Sequence, residues 1–366
     1  MTDKQAAPAL KEIFDRARLG HFASETAAIA PGFDAERFLS LATDNLDALG
    51  IMQRLRQTAV SFQATLPSNY SKALAILEVL APRINHGFAS IVLSEFVALY
   101  GRAHFDLSMQ ALRNFTRYGS AEFAIRHFLA SDFERTLAVM VNWAEDDNEH
   151  VRRLASEGSR PRLPWSFNLK TLIKDPSPTA PILEALKSDH SLYVRKSVAN
   201  HLNDITKDNP LRVLERVGGW DMQNAHTAWI VKHALRTLIK KGDADALRLI
   251  GSTGKPDVSV NHFSVTPARI RLGERITLDA RIASTASSNQ KLVIDYAVHY
   301  VKKAGTASKK VFKLKEIELA PAARAELSIS QVVRDFTTRK HHAGHHHVEL
   351  IINGDTLATS GFDLAL

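Results

Sequence analysis

Asp147-Asn148-Glu149-His150-Val151-Arg152-Arg153-Leu154-Ala155 and Asp189-His190-Ser191-Leu192-Tyr193-Val194-Arg195-Lys196-Ser197-Val198-Ala199 are two copies of one pattern. In each, a loop aspartate precedes a Val-Arg pair and small apolar residues, and Val151 and Val194 stand 43 residues apart. Ile230-Val231-Lys232-His233-Ala234-Leu235 is a fainter copy, its valine 37 residues beyond Val194. A unit of about 40–47 residues with these marks is a HEAT-type helical repeat. The pattern predicts that the valine packs on the neighbouring helix and that the basic residue after it leaves the core. Such repeats stack into a curved solenoid with a concave face.

The helical text extends outward from these copies. From Ala7 to Ile250 apolar residues recur at three- and four-residue spacing, as in Leu39, Leu46, Leu49 and Met52, or Leu107, Leu112 and Phe115. Pro31-Gly32, Pro67-Ser68, Pro82 and Gly119-Ser120 punctuate the run. Gly251-Ser252-Thr253-Gly254-Lys255-Pro256 then reads as a linker, and beyond it the period becomes two. Arg275–Ile282 and Val311–Leu319 alternate, Leu292–Val301 is rich in β-formers, and Asn353-Gly354 is a hairpin signal. About seven strands are predicted, the profile of an immunoglobulin-like sandwich without a disulfide. The predicted organisation is therefore a HEAT-like α-solenoid over 1–251, a linker over 252–258, and an immunoglobulin-like β-sandwich over 259–366.

Composition removes several classes of function. The chain has 366 residues and no cysteine, which excludes thiolate zinc sites and cysteine nucleophiles. Met1–Gln5 is polar and leads into no apolar run, so no signal peptide is expected, and no apolar run approaches the ~20 residues of a membrane span. There are 47 basic and 39 acidic residues, a net charge of +8. From Ser259 onward there are 15 Lys/Arg and 10 Asp/Glu, so the last third carries most of the excess. A basic excess of this size permits a polyanion partner without requiring one.

No nucleotide-binding, serine-hydrolase or zinc-protease motif is present. Gly251–Pro256 is too short for a P-loop and has proline where the Mg²⁺-binding hydroxyl belongs. His341, His342, His345, His346 and His347 read as a solvated turn. Strand alternation puts His345 and His347 on one face and His346 on the other, so they do not converge on a metal.

The unusual stretch is Val151-Arg152-Arg153-Leu154-Ala155-Ser156-Glu157-Gly158-Ser159-Arg160-Pro161-Arg162-Leu163-Pro164-Trp165. A repeat helix ends at Gly158, and two prolines hold an extended loop that bears Arg160, Arg162 and Trp165. Arginines and an aromatic on rigid backbone suit phosphate and base contacts. Composition alone favours a bland loop, with Trp165 plugging the solenoid and the arginines solvated.

This string resembles the AlkC branch of the HEAT-repeat alkylpurine DNA glycosylases, relatives of AlkD. So does Asp189 … Tyr193-Val194-Arg195-Lys196-Ser197-Val198-Ala199-Asn200-His201-Leu202-Asn203-Asp204. The segments Asp295–Val301 and Lys310–Lys313 look like the immunoglobulin-like extension of part of that branch. The resemblance implies monofunctional excision of cationic N-methylated bases: 3-methyladenine, and in this branch 3-methylcytosine and 1-methyladenine. It further implies work from the concave face without the base flipping usual among glycosylases. The expected partner is double-stranded DNA containing alkylated bases. The expected protein is a cytoplasmic monomer, nucleoid-associated while scanning, with no cofactor, no metal and no membrane contact.

Such chemistry needs carboxylates near the sugar, where positive charge develops as the N-glycosidic bond breaks, and an aromatic face for the same cation. Glu157, near its helix end, is the first carboxylate, although an i,i+4 pair with Arg153 would also explain it. Asp204 lies near a helix end in the next repeat, and Glu122 follows the Gly119-Ser120 helix start, where a carboxylate is favoured anyway. Trp165 is the candidate sugar-stacking aromatic. Arg152, Arg160, Arg162, Arg195 and Lys196 are candidates to grip phosphates around the lesion. Lys302, Lys303, Lys309 and Lys310 flank a turn at Ala304-Gly305-Thr306, and Arg339-Lys340 opens another; these are the sandwich's candidate DNA contacts. A HEAT-repeat protein–protein scaffold and a non-catalytic DNA-structure binder are the competing readings.

Overall fold

The structure, a computed structural model, describes residues 9–252, 254–336 and 340–366. Among these residues, sixteen α-helices run from Arg16–Ile29 to Ala244–Leu249, and eight strands follow, from Val258–Thr266 to Asp355–Ala365. The architecture is the expected one, a HEAT-like helical region followed by an immunoglobulin-like sandwich. By packing, the chain forms two compact units, residues up to 210 with 221–230, and residues 211–220 with 231–366. The change of period at 252–258 separates helix from strand, whereas the packing groups the last helices with the strands.

The two repeat copies show why the sequence folds locally as it does. Asn148 caps the Glu149–Gly158 helix by accepting from His150 N at 3.0 Å, and Asp146 in turn accepts from Asn148 N. Val151, Leu154 and Ala155 bury one face of that helix, and Val194, Val198 and Leu202 bury one face of the Leu192–Ile205 helix packed against it. The basic residue after each valine, expected to leave the core, turns back instead. Arg152 Nη1 donates to the carbonyls of Asp146 and Asp147 (2.9 and 2.8 Å), and Arg195 Nη1 donates to those of Asp189 and His190 (2.9 and 2.8 Å). Each arginine satisfies loop carbonyls that its own helix leaves unpaired. Arg152 also spans to the next repeat through Asp189 at 2.7 Å, as Arg113 does to Asp146 one repeat earlier. Gly158 is required by packing, because a Cβ there would lie 2.4 Å from Ile125 Cγ2.

The strands are β1 (Val258–Thr266), β2 (Arg269–Arg271), β3 (Arg275–Ser284), β4 (Gln290–Val301), β5 (Ala307–Leu319), β6 (Arg324–Val332), β7 (Gly344–Ile352) and β8 (Asp355–Ala365). They form a three-stranded sheet, β1-β3-β6, and a five-stranded sheet, β2-β8-β7-β4-β5. Eight strands stand where about seven were expected, and β2 is only three residues long and parallel to β8. Ile276, Leu278, Ala280 and Ile282 of β3 point inward against Leu292, Ile294, Tyr296 and Val298 of β4. Strict alternation holds in β3, which has one covered face. In β4 burial is nearly continuous, because this strand is covered on both faces. The Asn353-Gly354 signal forms the β7–β8 turn, with both residues at positive φ (48° and 91°).

Helices and sandwich of the second unit share close contacts. Lys232 pairs with Glu316, Lys291 Nζ donates to Ile250 O at 2.7 Å, and a Cβ on Gly354 would lie 2.2 Å from Gly242 Cα. The histidine stretch is only partly solvated. His345 and His347 face outward and His346 inward, as alternation requires, but His346 is fully buried and stacks on Phe362 at 5.0 Å. His341 is buried as well, against Tyr300, with its backbone N donating to Asp335 at 2.8 Å. The apolar end of the sandwich takes up these two rings, which composition alone assigned to solvent.

Candidate active site

Three stretches of the first unit enclose a cleft of about 470 Å³: Gly87–Ile91, Thr116–Phe123 and His150–Trp165, with Tyr193 completing one wall. Glu122 stands in the first turn of its helix, where Ser120 Oγ donates to Glu122 Oε2 at 2.6 Å. Arg153, one turn before Glu157 on the Glu149–Gly158 helix, reaches Glu122 with one nitrogen and lies 3.4 Å from Glu157 Oε1 with the other. Arg160 Nη1 donates to Glu157 Oε1 at 2.6 Å, and its Nε and Nη2 lie 2.8 and 2.7 Å from Asp204 Oδ2. The result is a chain of alternating charge, Glu122–Arg153–Glu157–Arg160–Asp204. Its ends are held by Ser120 at one side and by Lys207, 2.9 Å from Asp204 Oδ1, at the other.

The Leu192–Ile205 helix supplies the floor. Ser197, His201 and Asp204 fall at i, i+4 and i+7 on one face. Ser197 Oγ donates to Glu157 Oε2 at 2.6 Å, so both oxygens of this buried carboxylate are engaged. Burial, followed by the positive charge of Arg160, pushes His201 down to about 3, and the ring is neutral beneath the charged chain. Burial works against the charges of Arg153 and Arg160, but the carboxylates around them outweigh it, and both guanidiniums are raised further. The two guanidiniums of the cluster are thus held charged, and the carboxylates are held in place by them.

Trp165 projects from the loop after Gly158. The residue is 61% exposed, its φ is +65°, and its ring meets the edge of Phe88 at 6.3 Å. A bulky residue in the left-handed region costs roughly 1–2 kcal/mol and persists only where its surroundings impose it. The ring presents a free face to the cleft beside the carboxylates instead of plugging the helical stack.

A family model described as a DNA alkylation repair enzyme matches residues 43–238. The chain belongs to that family. A second model, described as the C-terminal Ig-like domain of the uncharacterised protein YhaZ, matches residues 259–366 of this alkylation repair protein. The uncharacterized protein YhaZ of Bacillus subtilis (strain 168) is 41% identical over 356 residues, covering 97% of this chain and 99% of the relative. Among solved structures, the alkylpurine DNA glycosylase AlkC of Pseudomonas fluorescens, bound to DNA containing an abasic site analog, superposes with a TM-score of 0.96. It is 55% identical, with 98% of this chain and all of that one covered. Within the family, the likeness is to AlkC.

In this alkylation repair enzyme, Glu122, Glu157 and Trp165 line the cleft, and Asp204 lies behind Arg160. Two of the arginines expected to grip phosphates are internal. Arg152 and Arg160 are 6% and 7% exposed and direct their donors to Asp189, loop carbonyls, Glu157 and Asp204. Arg162 forms a two-pronged pair with Asp208, both contacts at 2.8 Å, which raises the arginine and lowers the acid. Arg195 is tied to the loop carbonyls and lies 5.9 Å from the Trp229 ring. Lys196 is exposed on its helix, and Lys302, Lys303, Lys309, Lys310 and Lys340 are exposed on the sandwich. Lys309 is paired with Glu349 at 2.6 Å. Arg339 lies outside the described residues.

Sequence reasoning missed the link residues. Arg153 entered only as a local partner of Glu157, and Ser120, Ser197 and Tyr193 entered only as members of quoted motifs, with no role in the site. Tyr193, whose ring lies 5.0 Å from the Arg153 guanidinium, was legible as the residue before the repeat valine, one position from the buried stripe.

Proposed function

We propose that this enzyme is a monofunctional DNA glycosylase that hydrolyses the N-glycosidic bond of cationic N-methylated bases: 3-methyladenine, with 3-methylcytosine and 1-methyladenine. The observation that carries this reading is the alternating chain Glu122–Arg153–Glu157–Arg160–Asp204 beside an exposed Trp165 face. A cationic base leaves without a strong general acid. The sugar then gains positive charge, and carboxylates already fixed in place stabilise it without reorganising. Glu157 is the central group. Glu122 supports it from the cleft wall, and Asp204 acts from behind Arg160. Trp165 offers its face to the same cation, worth about 0.5–2 kcal/mol. An open cleft with its aromatic at the rim suits a lesion that stays in the duplex, and the reading includes excision without base flipping. Lys196, Lys302, Lys303, Lys310 and Lys340 are the proposed phosphate contacts.

The test is incubation with methylated duplex, followed by assay of released bases and abasic sites. Released 3-methyladenine with matching abasic sites supports the reading. DNA binding without abasic sites means a non-catalytic binder, and neither binding nor release means a scaffold.

A further inference from the structure

Arg126 is the residue that the charged chain does not use. It lies on the Glu122–Ser131 helix, one turn after Glu122, and its side chain is fully buried. Its Nη1 donates to the carbonyl of Gly158 at 3.0 Å and to that of Arg160 at 2.6 Å, and its Nη2 donates to the carbonyl of Phe167 at 2.5 Å. Its guanidinium carbon also lies 5.4 Å from the Phe167 ring. Arg160 and Phe167 are the two feet of the loop that carries Trp165, and Leu169 N donates to Pro161 O at 3.0 Å to close the same loop. One planar guanidinium therefore grips both feet, and one helix presents both Glu122 and this staple.

Burial is costly here. Burial first, and then repulsion from Arg160, lower Arg126 to about 10, against the pull of Asp204, Glu122 and Glu157. A buried cation whose hydrogen bonds go to three loop carbonyls is an expensive choice for packing alone. The Arg160 carbonyl held by Arg126 belongs to the residue whose side chain bridges Glu157 and Asp204. The loop between the gripped carbonyls contains Trp165 in its strained conformation.

We propose that Arg126 is a positioning residue for base excision: by stapling the 158–167 loop it fixes the Arg160 bridge and the Trp165 ring without touching the substrate. The inference rests on the glycosylase reading above, because only that reading gives the loop a chemical task. Lysine cannot replace it fully, since a single ammonium lacks the two-pronged planar reach. A displacement of about 1 Å at a reacting centre is enough to lose roughly a hundredfold in rate.

The experiment uses the full chain, labelled with 5-fluorotryptophan, as wild type, Arg126→Lys and Arg126→Met. The Trp165 resonance is assigned by Trp165→Phe. Single-turnover excision from methylated duplex, affinity for an abasic-analog duplex, and ¹⁹F spectra are measured at a temperature where each variant is folded. The expected result is a loss of about 10²-fold in rate for Arg126→Met and a smaller loss for Arg126→Lys. Affinity should stay nearly unchanged, and only the Trp165 resonance should shift. Equal rates with an unmoved Trp165 resonance would overturn the inference. So would rate and affinity falling together with every tryptophan resonance altered, since that is a general packing defect. If Arg126→Met does not fold, Arg126→Lys alone decides between these outcomes. If wild type releases no base, the glycosylase reading fails separately, and the role in excision falls with it. The ¹⁹F spectra then still show whether Arg126 sets the loop.

Discussion

Arg160 donates to Glu157 across 2.6 Å, and the same guanidinium holds Asp204 from its other edge. One side chain thereby sets the spacing of two carboxylates that come from different repeats. The residue reads in sequence as a phosphate-binding arginine of a basic loop, and it serves instead as the internal tie of the site. Removing it leaves two buried carboxylates with less compensation, a change that typically costs about 3–5 kcal/mol of stability. Arg160→Gln is therefore expected to lower the thermal midpoint and to slow excision. In an Asp204→Asn background the same substitution should cost less, with a coupling of about 0.5–3 kcal/mol in a double-mutant cycle on single-turnover rates. Strict additivity would show that Arg160 does not act through Asp204.

Glu157→Gln keeps shape and can still meet Ser197 and Arg160, but it removes the charge facing the sugar cation. Excision of 3-methyladenine should fall by about 10²–10³, with duplex affinity nearly intact. Asp204→Asn and Glu122→Gln should show smaller losses. Asp204 lies behind Arg160, and Glu122 is shared between Ser120 and Arg153. Single-turnover rates at saturating enzyme check the order, and a folded Glu157→Gln protein with near wild-type rates would remove Glu157 from the mechanism.

The fold and Glu157 were legible because they follow from periodicity and from a motif confined to one helix and its loop. Val151 and Val194 announce buried helix faces, and Arg275–Ile282 announces a strand with one covered face. The partners were not legible, because hydrogen-bond partners 31 to 44 residues apart depend on how repeats stack. Arg153 meets Glu122 and Arg160 meets Asp204 only after that stacking, and a sequence shows the charges without their targets. The same limit explains the histidines. His341 and His346 look polar in composition, but their rings complete an apolar end beside Tyr300 and Phe362.

Asp295 offers a test of buried charge in the second unit. It sits in β4 at 5% exposure, and burial pushes its carboxyl up to about 6 despite Lys240 and Lys313 nearby. The folded value lies above the unfolded one, which is about 4. The stability linked to this group is therefore fully present below about pH 4 and is lost as pH rises through about 6. Two pKa units correspond to at most about 3 kcal/mol. Asp295→Asn should raise the thermal midpoint at about pH 8 and give little gain at about pH 4. A gain that does not depend on pH would mean that the side chain is not titrating in its buried place.

The sandwich's lysines need a test that leaves its packing intact. Cutting the chain after Lys255 looks like a clean removal, but the last helices pack with the strands, through Lys291 on the Ile250 carbonyl and the close approach of Gly242 to Gly354. A 1–255 fragment should therefore melt lower than the full chain, and its lower activity would not isolate DNA binding. Surface charge changes avoid this. Lys309 is a poor choice, because its removal also takes from Glu349 one of its partners beside His299 and Thr356. Lys302 and Lys303 are exposed at the β4–β5 turn, where Lys302 N donates to Thr306 O and Gly305 N to Lys302 O. If both touch phosphates, Lys302→Ala with Lys303→Ala should flatten the log–log salt dependence of duplex binding by roughly 0.9 for each phosphate no longer neutralised. The weakening should be equal for methylated and undamaged duplex, since phosphates carry no base information. The thermal midpoint should be unchanged, because both side chains lie in solvent. A salt slope identical to wild type would show that this turn does not meet DNA, and weakening confined to damaged duplex would show that it senses the lesion instead.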